Sequence, residues 1–318
     1  MSFSIPTFPQ QRRIVTSTAG LVTLLLLFYS YYSYAWSHPK TNLQWIPTST
    51  TPSLIPRKIW QVLLPMPGTV HAKGLADAQA RSWLLMNPDH TFTRLSTDGA
   101  EDFLRQHYPE TPAYLDTFRG LPNPALQSDF LRYLVLQAEG GVYTDLDTNA
   151  LQPIGSWIPE EHRSRAKVLV GIEWDQRDEK DLWGIFAYPV QFQQWTLAAT
   201  PHHPILEDLV HHVLDSFHNL TEFYNTPLDR LSLSDQEILM ATGPGAWTGA
   251  VWRYMEKHGV TSLRQLSYLQ KPTLVEDVLI YPVNAFASGQ AHSGAARWFT
   301  PKEALMKHNF KGSWRVQS

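Results

Sequence analysis

Apolar positions along the chain form one uncharged amino-terminal run, followed by a long stretch in which short strands alternate with helices. Ile14 to Trp36 carries no charged residue, and Leu21 to Phe28 is apolar apart from Thr23. A helix of that length, rising about 1.5 Å per residue, covers a hydrocarbon core of roughly 30 Å. Tyr29, Tyr31, Tyr32, Tyr34 and Trp36 gather at its far end, while Arg12 and Arg13 precede it. Aromatic side chains favour the membrane interface, and basic residues favour the cytoplasmic side. The pattern predicts a type II signal-anchor: residues 1–13 a cytoplasmic tail, residues 14–36 the span, and the remainder across the membrane. A cleaved signal peptide needs small residues where this chain has Tyr and Trp. Residues 37–53, rich in Pro, Ser and Thr, read as a stem.

From residue 54 to residue 318 the pattern predicts one globular domain. Ile55 to Val62 reads as a first strand, Gly74 to Met86 as a helix, and Thr91 to Leu95 as a second strand. Asp98 is the expected cap of a helix running to His107, and Pro112 starts a short helix ending at Gly120. Pro124 to Ala138 is bounded at both ends. Asn123 caps it, Pro124 suits its first turn, and Gly140-Gly141 stops it. Strands are expected at Val142–Thr144, Lys167–Ile172 and Val278–Tyr281, and helices at His203–Phe217, Asp235–Ala241 and Ala246–His258. Strands alternating with helices predict an α/β sheet sandwiched between helices.

Composition narrows the function. The 318 residues are 43% hydrophobic and include 12 Trp, 13 Tyr and 14 Phe, too many core formers for a disordered chain. A formal net charge of −3 offers no basic excess for phosphate backbones, so nucleic acid is not an expected partner. The chain has no cysteine, which excludes disulfides, thiolate metal sites and thiol catalysis. Asn219-Leu220-Thr221 is an N-glycosylation triplet.

Chemistry concentrates between residues 127 and 148. On the helix, Asp129, Arg132 and Tyr133 lie three and four residues apart and share a face, beside an apolar stripe of Leu126, Phe130 and Leu134. Asp129 and Arg132 are then either an ordinary surface ion pair or a ligand-facing pair. After Gly140-Gly141 and a strand comes Asp145-Leu146-Asp147. Alternation is expected to send Leu146 into the core and both carboxylates to the carboxyl edge of the sheet, where open α/β folds bind ligands. Hard oxygen ligands suit Mg²⁺ or Mn²⁺, which could hold a diphosphate and neutralise its charge.

These segments resemble the fungal Golgi α-1,6-mannosyltransferases, members of glycosyltransferase family 32 within the DXD enzymes of GT-A fold. The resemblance runs from about Ile55 to Trp314. It is carried by Ile55–Gln61, Trp83 with Asn87-Pro88-Asp89, Ser128–Tyr133, Gly140–Thr148, Gly171-Ile172-Glu173, Gln191–Thr196, Thr242–Thr248 and His308–Trp314. It implies a GT-A type, Rossmann-like nucleotide-sugar transferase domain behind a single amino-terminal transmembrane helix, resident in the Golgi membrane with the catalytic domain lumenal. It also implies retaining transfer of mannose from GDP-mannose to a mannose-containing glycan on N-linked glycoproteins, with Mn²⁺ or Mg²⁺ as cofactor. By the same resemblance Asp147 is the direct metal ligand, Asp145 a ribose or metal partner, and His308 completes the metal site. Asp129 and Arg132 orient the donor sugar, with Tyr133 on the same donor-binding face. Glu173 and Asp175 are further catalytic candidates: they follow a buried strand that could carry them into the cleft, to contact acceptor hydroxyls or stabilise an oxocarbenium-like transition state, the alternative being a solvated loop within Asp175–Asp181.

Two positions depart from the family pattern. Gln127 stands where members often have Arg, and Gly249 where they often have Asp, which bears on the phosphate and acceptor sides. Thr242-Gly243-Pro244-Gly245 is a turn whose amides could face a diphosphate. Trp174, Trp183, Trp195 and Trp247 are candidates for stacking on sugar or base, whereas the His202-His203 and His211-His212 pairs read as helix-surface residues. Three rival readings are a transferase of the same fold using a UDP-sugar, a non-catalytic subunit of a Golgi glycosyltransferase complex, and a carboxylate glycosidase. A metal-binding pair on one strand is the wrong arrangement for the last.

Overall fold

A computed structural model describes residues 51–65, 72–180 and 186–310. The expected membrane span, most of the stem, Trp183 and the segment Lys311–Trp314 lie outside the described residues. Among the described residues no helix is long and apolar enough to cross a membrane.

In chain order the elements are β1 (Lys58–Val62), α1 (Ala72–Met86), β2 (Thr91–Leu95), α2 (Thr97–His107), α3 (Ala113–Gly120) and α4 (Pro124–Glu139). They continue with β3 (Gly141–Thr144), β4 (Thr148–Ala150), β5 (Val168–Asp175), β6 (Val190–Phe192), β7 (Thr196–Ala199), α5 (Pro204–Tyr224), α6 (Asp235–Ala241) and α7 (Pro244–Lys257). Last come β8 (Thr273–Val275), β9 (Val278–Tyr281), α8 (Val283–Phe286) and β10 (Met306–His308).

The main sheet runs β2-β1-β3-β7-β5-β9-β8, with β6 added to β5. β1 is parallel to both β2 and β3, and β5 is parallel to β9. β7 lies antiparallel between β3 and β5, so the sheet is mixed. β4 and β10 form a separate antiparallel pair that places His308 opposite Thr148.

The helix predicted over 124–138 forms as α4, one residue longer, and local chemistry fixes both of its ends. The Asn123 side chain accepts the Leu126 amide, and Pro124 fills the first turn, where no donor is needed. Gly140 and Gly141 then take φ of 62° and 102°. A Cβ on Gly141 would sit 2.6 Å from the Lys58 carbonyl oxygen, so the chain can turn into β3 beside β1 only with glycine there. Leu126, Phe130 and Leu134 are fully buried, and α4 packs on β1, β3 and β7. That packing brings the polar side of α4 to the end of β3.

Several expectations need correction. Ser96, not Asp98, caps α2: its hydroxyl accepts the Gly99 amide at 3.2 Å. The strand at 168 runs on to Asp175, beyond the expected Ile172. His203 is buried rather than on the surface. It caps α5 and sits 3.3 Å from the Asp277 carboxylate, which also accepts from Tyr254 at 2.8 Å and lies 3.1 Å from Lys167. Asn219 is exposed near the end of α5.

Candidate active site

Asp145, Leu146 and Asp147 occupy a tight turn between β3 and β4 and are not part of the strand. The expected placement of Leu146 in the core therefore fails. Strand alternation does not operate in the turn, and Leu146 is half-buried, lining the same cavity as its two neighbours. The turn is closed by the Thr148 hydroxyl on the Asp145 carbonyl at 2.6 Å. It is tied to the chain before β7 by the Asp145 amide on the Trp195 carbonyl at 2.8 Å. From the other side Asn309 grips the Asp147 carbonyl oxygen, through its backbone amide at 3.0 Å and its side-chain amide at 2.6 Å. The β4–β10 pairing thus carries His308 to the turn. Its Nε2 lies 3.1 Å from Asp147 Oδ1, and its ring stacks on Trp195 with centroids 4.6 Å apart.

Asp145, Asp147 and His308 each offer a ligand atom, and these atoms lie within 4.8 Å of one another. The His308 Nδ1 is buried with no hydrogen-bond partner among the described residues. Two carboxylate oxygens and an imidazole nitrogen suit Mn²⁺ or Mg²⁺, so the residues present fit the cation expected for this site.

Behind the turn lies a buried charge network. The Arg132 Nη2 is 2.9 Å from Asp129 Oδ1 and 3.4 Å from Asp145 Oδ1, and its Nη1 donates to the Gln194 carbonyl at 3.0 Å. The guanidinium lies over the Tyr143 ring, 4.7 Å from the centroid, and the Tyr143 hydroxyl donates to Asp145 Oδ1 at 2.6 Å. Only 6% of the Arg132 side chain and 10% of the Asp129 side chain are exposed, so the surface-pair alternative does not hold. Burial pushes the Asp129 carboxyl up to about 6, against the opposing pull of Arg132 and the Thr242 hydroxyl. Burial also works against the Arg132 charge, but Asp145, Tyr143 and Asp129 outweigh it and raise the guanidinium above its ordinary range. Most of the Arg132 donors are engaged by the protein, so it holds Asp129 and Asp145 in place as well as facing the cavity.

The cavity measures about 320 Å³ and is bordered by Asp129, Arg132, Asp145, Asp147, His308 and Glu173. Apolar groups, among them Val62, Leu239 and Phe310, complete its wall. Tyr133 does not reach it. The residue is fully buried, and its hydroxyl is within hydrogen-bond distance of Gln194 Oε1 and of the Thr242 carbonyl at 2.6 Å. Tyr133 therefore braces the site from behind, and the donor-binding expectation for it is corrected. Asp175 is corrected as well. A register shift between Ile172 and Trp174 breaks the alternation that would place Glu173 and Asp175 together. Glu173 enters the cleft, while Asp175 turns to a separate cavity and accepts from the Ser267 hydroxyl and the Tyr268 amide, each at 2.8 Å.

The family model described as a glycosyltransferase sugar-binding region containing a DXD motif matches residues 76–164, the stretch that holds α4 and the Asp145–Asp147 turn. The initiation-specific α-1,6-mannosyltransferase of Schizosaccharomyces pombe is 35% identical over 269 residues, covering 82% of this chain and 64% of the relative. Over residues 76–164 the chain thus carries this DXD glycosyltransferase sugar-binding region. The protein of the same description from Candida albicans is 31% identical over 256 residues, covering 74% of this chain and 66% of the relative. That from Saccharomyces cerevisiae is 24% identical, covering 82% of this chain and 78% of the relative. The chain thus spans just under two thirds of the length of the first two relatives. Among solved structures, the PaToxG glycosyltransferase is similar at 17% identity, with a TM-score of 0.41 over 64% of this chain and 72% of that one.

In this chain the two departures fall away from the cavity. The Gln127 side chain donates to the Phe118 carbonyl at 3.0 Å. Gly249 is buried in α7, where a Cβ would meet the Tyr188 hydroxyl at 2.9 Å. Of the candidate tryptophans, Trp195 lines the cavity, whereas Trp174 and Trp247 are core. Gly243 and Pro244 line it too, at the start of α7. Sequence reasoning missed Tyr143, Gln194, Thr242 and Asn309 as supports. All four lie in segments that carry the resemblance, namely Gly140–Thr148, Gln191–Thr196, Thr242–Thr248 and His308–Trp314.

Proposed function

We propose that this chain is a metal-dependent, retaining mannosyltransferase. It moves mannose from GDP-mannose to a mannose-containing glycan, forming an α-1,6 linkage in outer-chain synthesis on N-linked glycoproteins. The observation that carries this reading is the convergence of Asp145, Asp147 and His308 at a cavity whose inner wall is the Arg132–Asp129 pair. Mn²⁺ or Mg²⁺ held by those three residues supplies, when bound, positive charge against a diphosphate leaving group. The chain does the rest. Tyr143 and Arg132 fix the rotamer of Asp145, and Arg132 keeps two neighbouring carboxylates compatible. Trp195 and Phe310 present aromatic surface at the rim, and aromatic surface packs well against sugar and base faces.

The names of the relatives support mannose as the sugar and α-1,6 as the linkage. The uncharged run Ile14–Trp36 behind Arg12 and Arg13 supports a type II anchor with the catalytic domain across the membrane, and Golgi residence, where other subunits of a glycosyltransferase complex would meet it, belongs to the same proposal. The test is a donor panel. The purified protein is incubated with GDP-mannose, UDP-galactose or UDP-glucose and an oligomannose acceptor, and the product linkage is read by NMR. Transfer from GDP-mannose into an α-1,6 linkage is expected. Transfer from a UDP-sugar alone, or a different linkage, contradicts the reading.

A further inference from the structure

Two strand steps separate the metal-site turn, which follows β3, from β5, because β7 lies between them. At about 4.8 Å per step, the Glu173 backbone stands on the order of 10 Å from the strand that delivers Asp145. Glu173 nonetheless lines the same cavity. It differs from the other carboxylates there. Asp129 and Asp145 share Arg132, and Asp147 faces His308. Glu173 has one hydrogen bond, from the Gln191 side-chain amide at a long 3.4 Å, and no ion pair among the described residues. Desolvation pushes its carboxyl up to about 7, which fits a group whose partner is not supplied by the protein.

An acidic side chain left under-satisfied in a cavity wall is matched by a ligand that donates hydrogen bonds. The donor's diphosphate cannot be that ligand, since it is acidic itself and belongs at the Asp145, Asp147 and His308 side. A neutral sugar ring fits, because its hydroxyls are donors spaced for the two oxygens of one carboxylate. The register shift that separates Glu173 from Asp175 sharpens the point. Asp175 is fully occupied by Ser267, Tyr268 and the Arg177 amide, so only one of the two carboxyls on β5 is free to face substrate.

We propose that Glu173 is the acceptor-recognition carboxylate: it accepts hydrogen bonds from hydroxyls of the acceptor sugar and sets its position opposite the donor. This rests on the mannosyltransferase reading above. It assigns Glu173 to the acceptor, where the donor-side network of Asp129, Arg132 and Asp145 has no part.

The test compares wild type with Glu173→Gln and Glu173→Asp in initial-rate kinetics. GDP-mannose is the donor, an α-linked mannotriose the acceptor, and each is varied at saturating levels of the other. Titration calorimetry measures GDP affinity in the presence of Mn²⁺. The Gln variant keeps the shape but loses a charged acceptor of hydrogen bonds. Its KM for mannotriose is expected to rise roughly 10- to 100-fold, the scale of a hydrogen bond to a charged group, while the KM for GDP-mannose and the GDP affinity stay within about twofold. The Asp variant should recover part of the loss. A parallel rise in the KM for GDP-mannose, or weakened GDP binding, would move Glu173 to the donor side and overturn the proposal. Unchanged kinetics in both variants would overturn it as well. Unfolding of the Gln variant would show in its thermal melt, and the Asp variant then carries the same comparison. Failure of the wild-type protein to use GDP-mannose at all would instead count against the mannosyltransferase reading.

Discussion

Replacing Arg132 by Ala should destabilise the protein severely. The guanidinium is 2.9 Å from Asp129 and 3.4 Å from Asp145, with both Arg132 and Asp129 almost wholly buried. Exposed pairs contribute about 0–1 kcal/mol, whereas removing one partner of a buried pair costs about 3–5 kcal/mol, because the remaining charge is left unpaired. Asp129 keeps a hydrogen bond from Thr242 at 2.8 Å, which places the expected cost at the lower end, about 3 kcal/mol. For a domain of this size each kcal/mol moves Tm by roughly 2–4 °C, so a drop of about 6–12 °C follows. Differential scanning calorimetry of Arg132→Ala measures it, and Asp129→Asn in the same background isolates the cause. Removing the stranded carboxylate should restore part of the loss. A Tm within about 2 °C of wild type would correspond to roughly 1 kcal/mol or less and would refute the buried-pair account. Lys at position 132 should recover charge but not the simultaneous reach to Asp129, Asp145 and the Gln194 carbonyl, because an ammonium lacks the planar fork.

Three further outcomes follow from the same network and its surroundings. Asp147→Ala should lower transfer by at least about 100-fold, the scale of a lost electrostatic contact to developing charge. Its melting temperature should change little, which separates chemistry from folding. Glu173 has its carboxyl raised to about 7 in the folded protein from an ordinary 4.5. The folded state therefore holds a proton that the unfolded chain releases, and stability falls as pH rises through that window. Calorimetry across pH should find Glu173→Gln gaining on wild type between about 4.5 and 7 and level above it. Asp277 behaves oppositely: although burial favours its neutral form, bonds from His203, Tyr254 and Lys167 hold its carboxyl below the ordinary 3.8. Its contribution is present above that value and lost as pH falls below it. Asp277→Asn should thus cost about 1–3 kcal/mol at neutral pH and progressively less in acid, read by urea denaturation at each pH.

The parts of this molecule that were legible in its sequence are those governed by neighbours along the chain. Asn123, Pro124 and the Gly140-Gly141 pair define α4 locally, and its boundaries were readable to within a residue. β9 was equally plain as a short apolar run. β4, β6, β7, β8 and β10 were not, since three or four residues are too few to show a period. The site divides in the same way. Asp129, Arg132, Asp145 and Asp147 stand close together in sequence and were found. His308 was reached through family resemblance, and its contact with Asp147 depends on the pairing of β10 with β4. Thr242 on Asp129 and Asn309 on Asp147 span more than a hundred residues each and leave no local trace. Leu146 and Asp175 were both misplaced where regular strand geometry ends. For Leu146 strict alternation was extended into a turn; Asp175, expected just after the strand, ends that strand beyond a register shift, and neither a turn nor a bulge obeys a two-residue period.

Asp145, Asp147 and His308 together are expected to hold a divalent cation beside the Arg132 network. The measurement is electron paramagnetic resonance of free Mn²⁺ titrated into the protein in the presence of GDP. One Mn²⁺ per chain should bind in the wild type, and its affinity should fall by at least tenfold in both Asp147→Ala and His308→Ala, with the fold intact by circular dichroism. Wild-type Mn²⁺ affinity in both variants would contradict the claim.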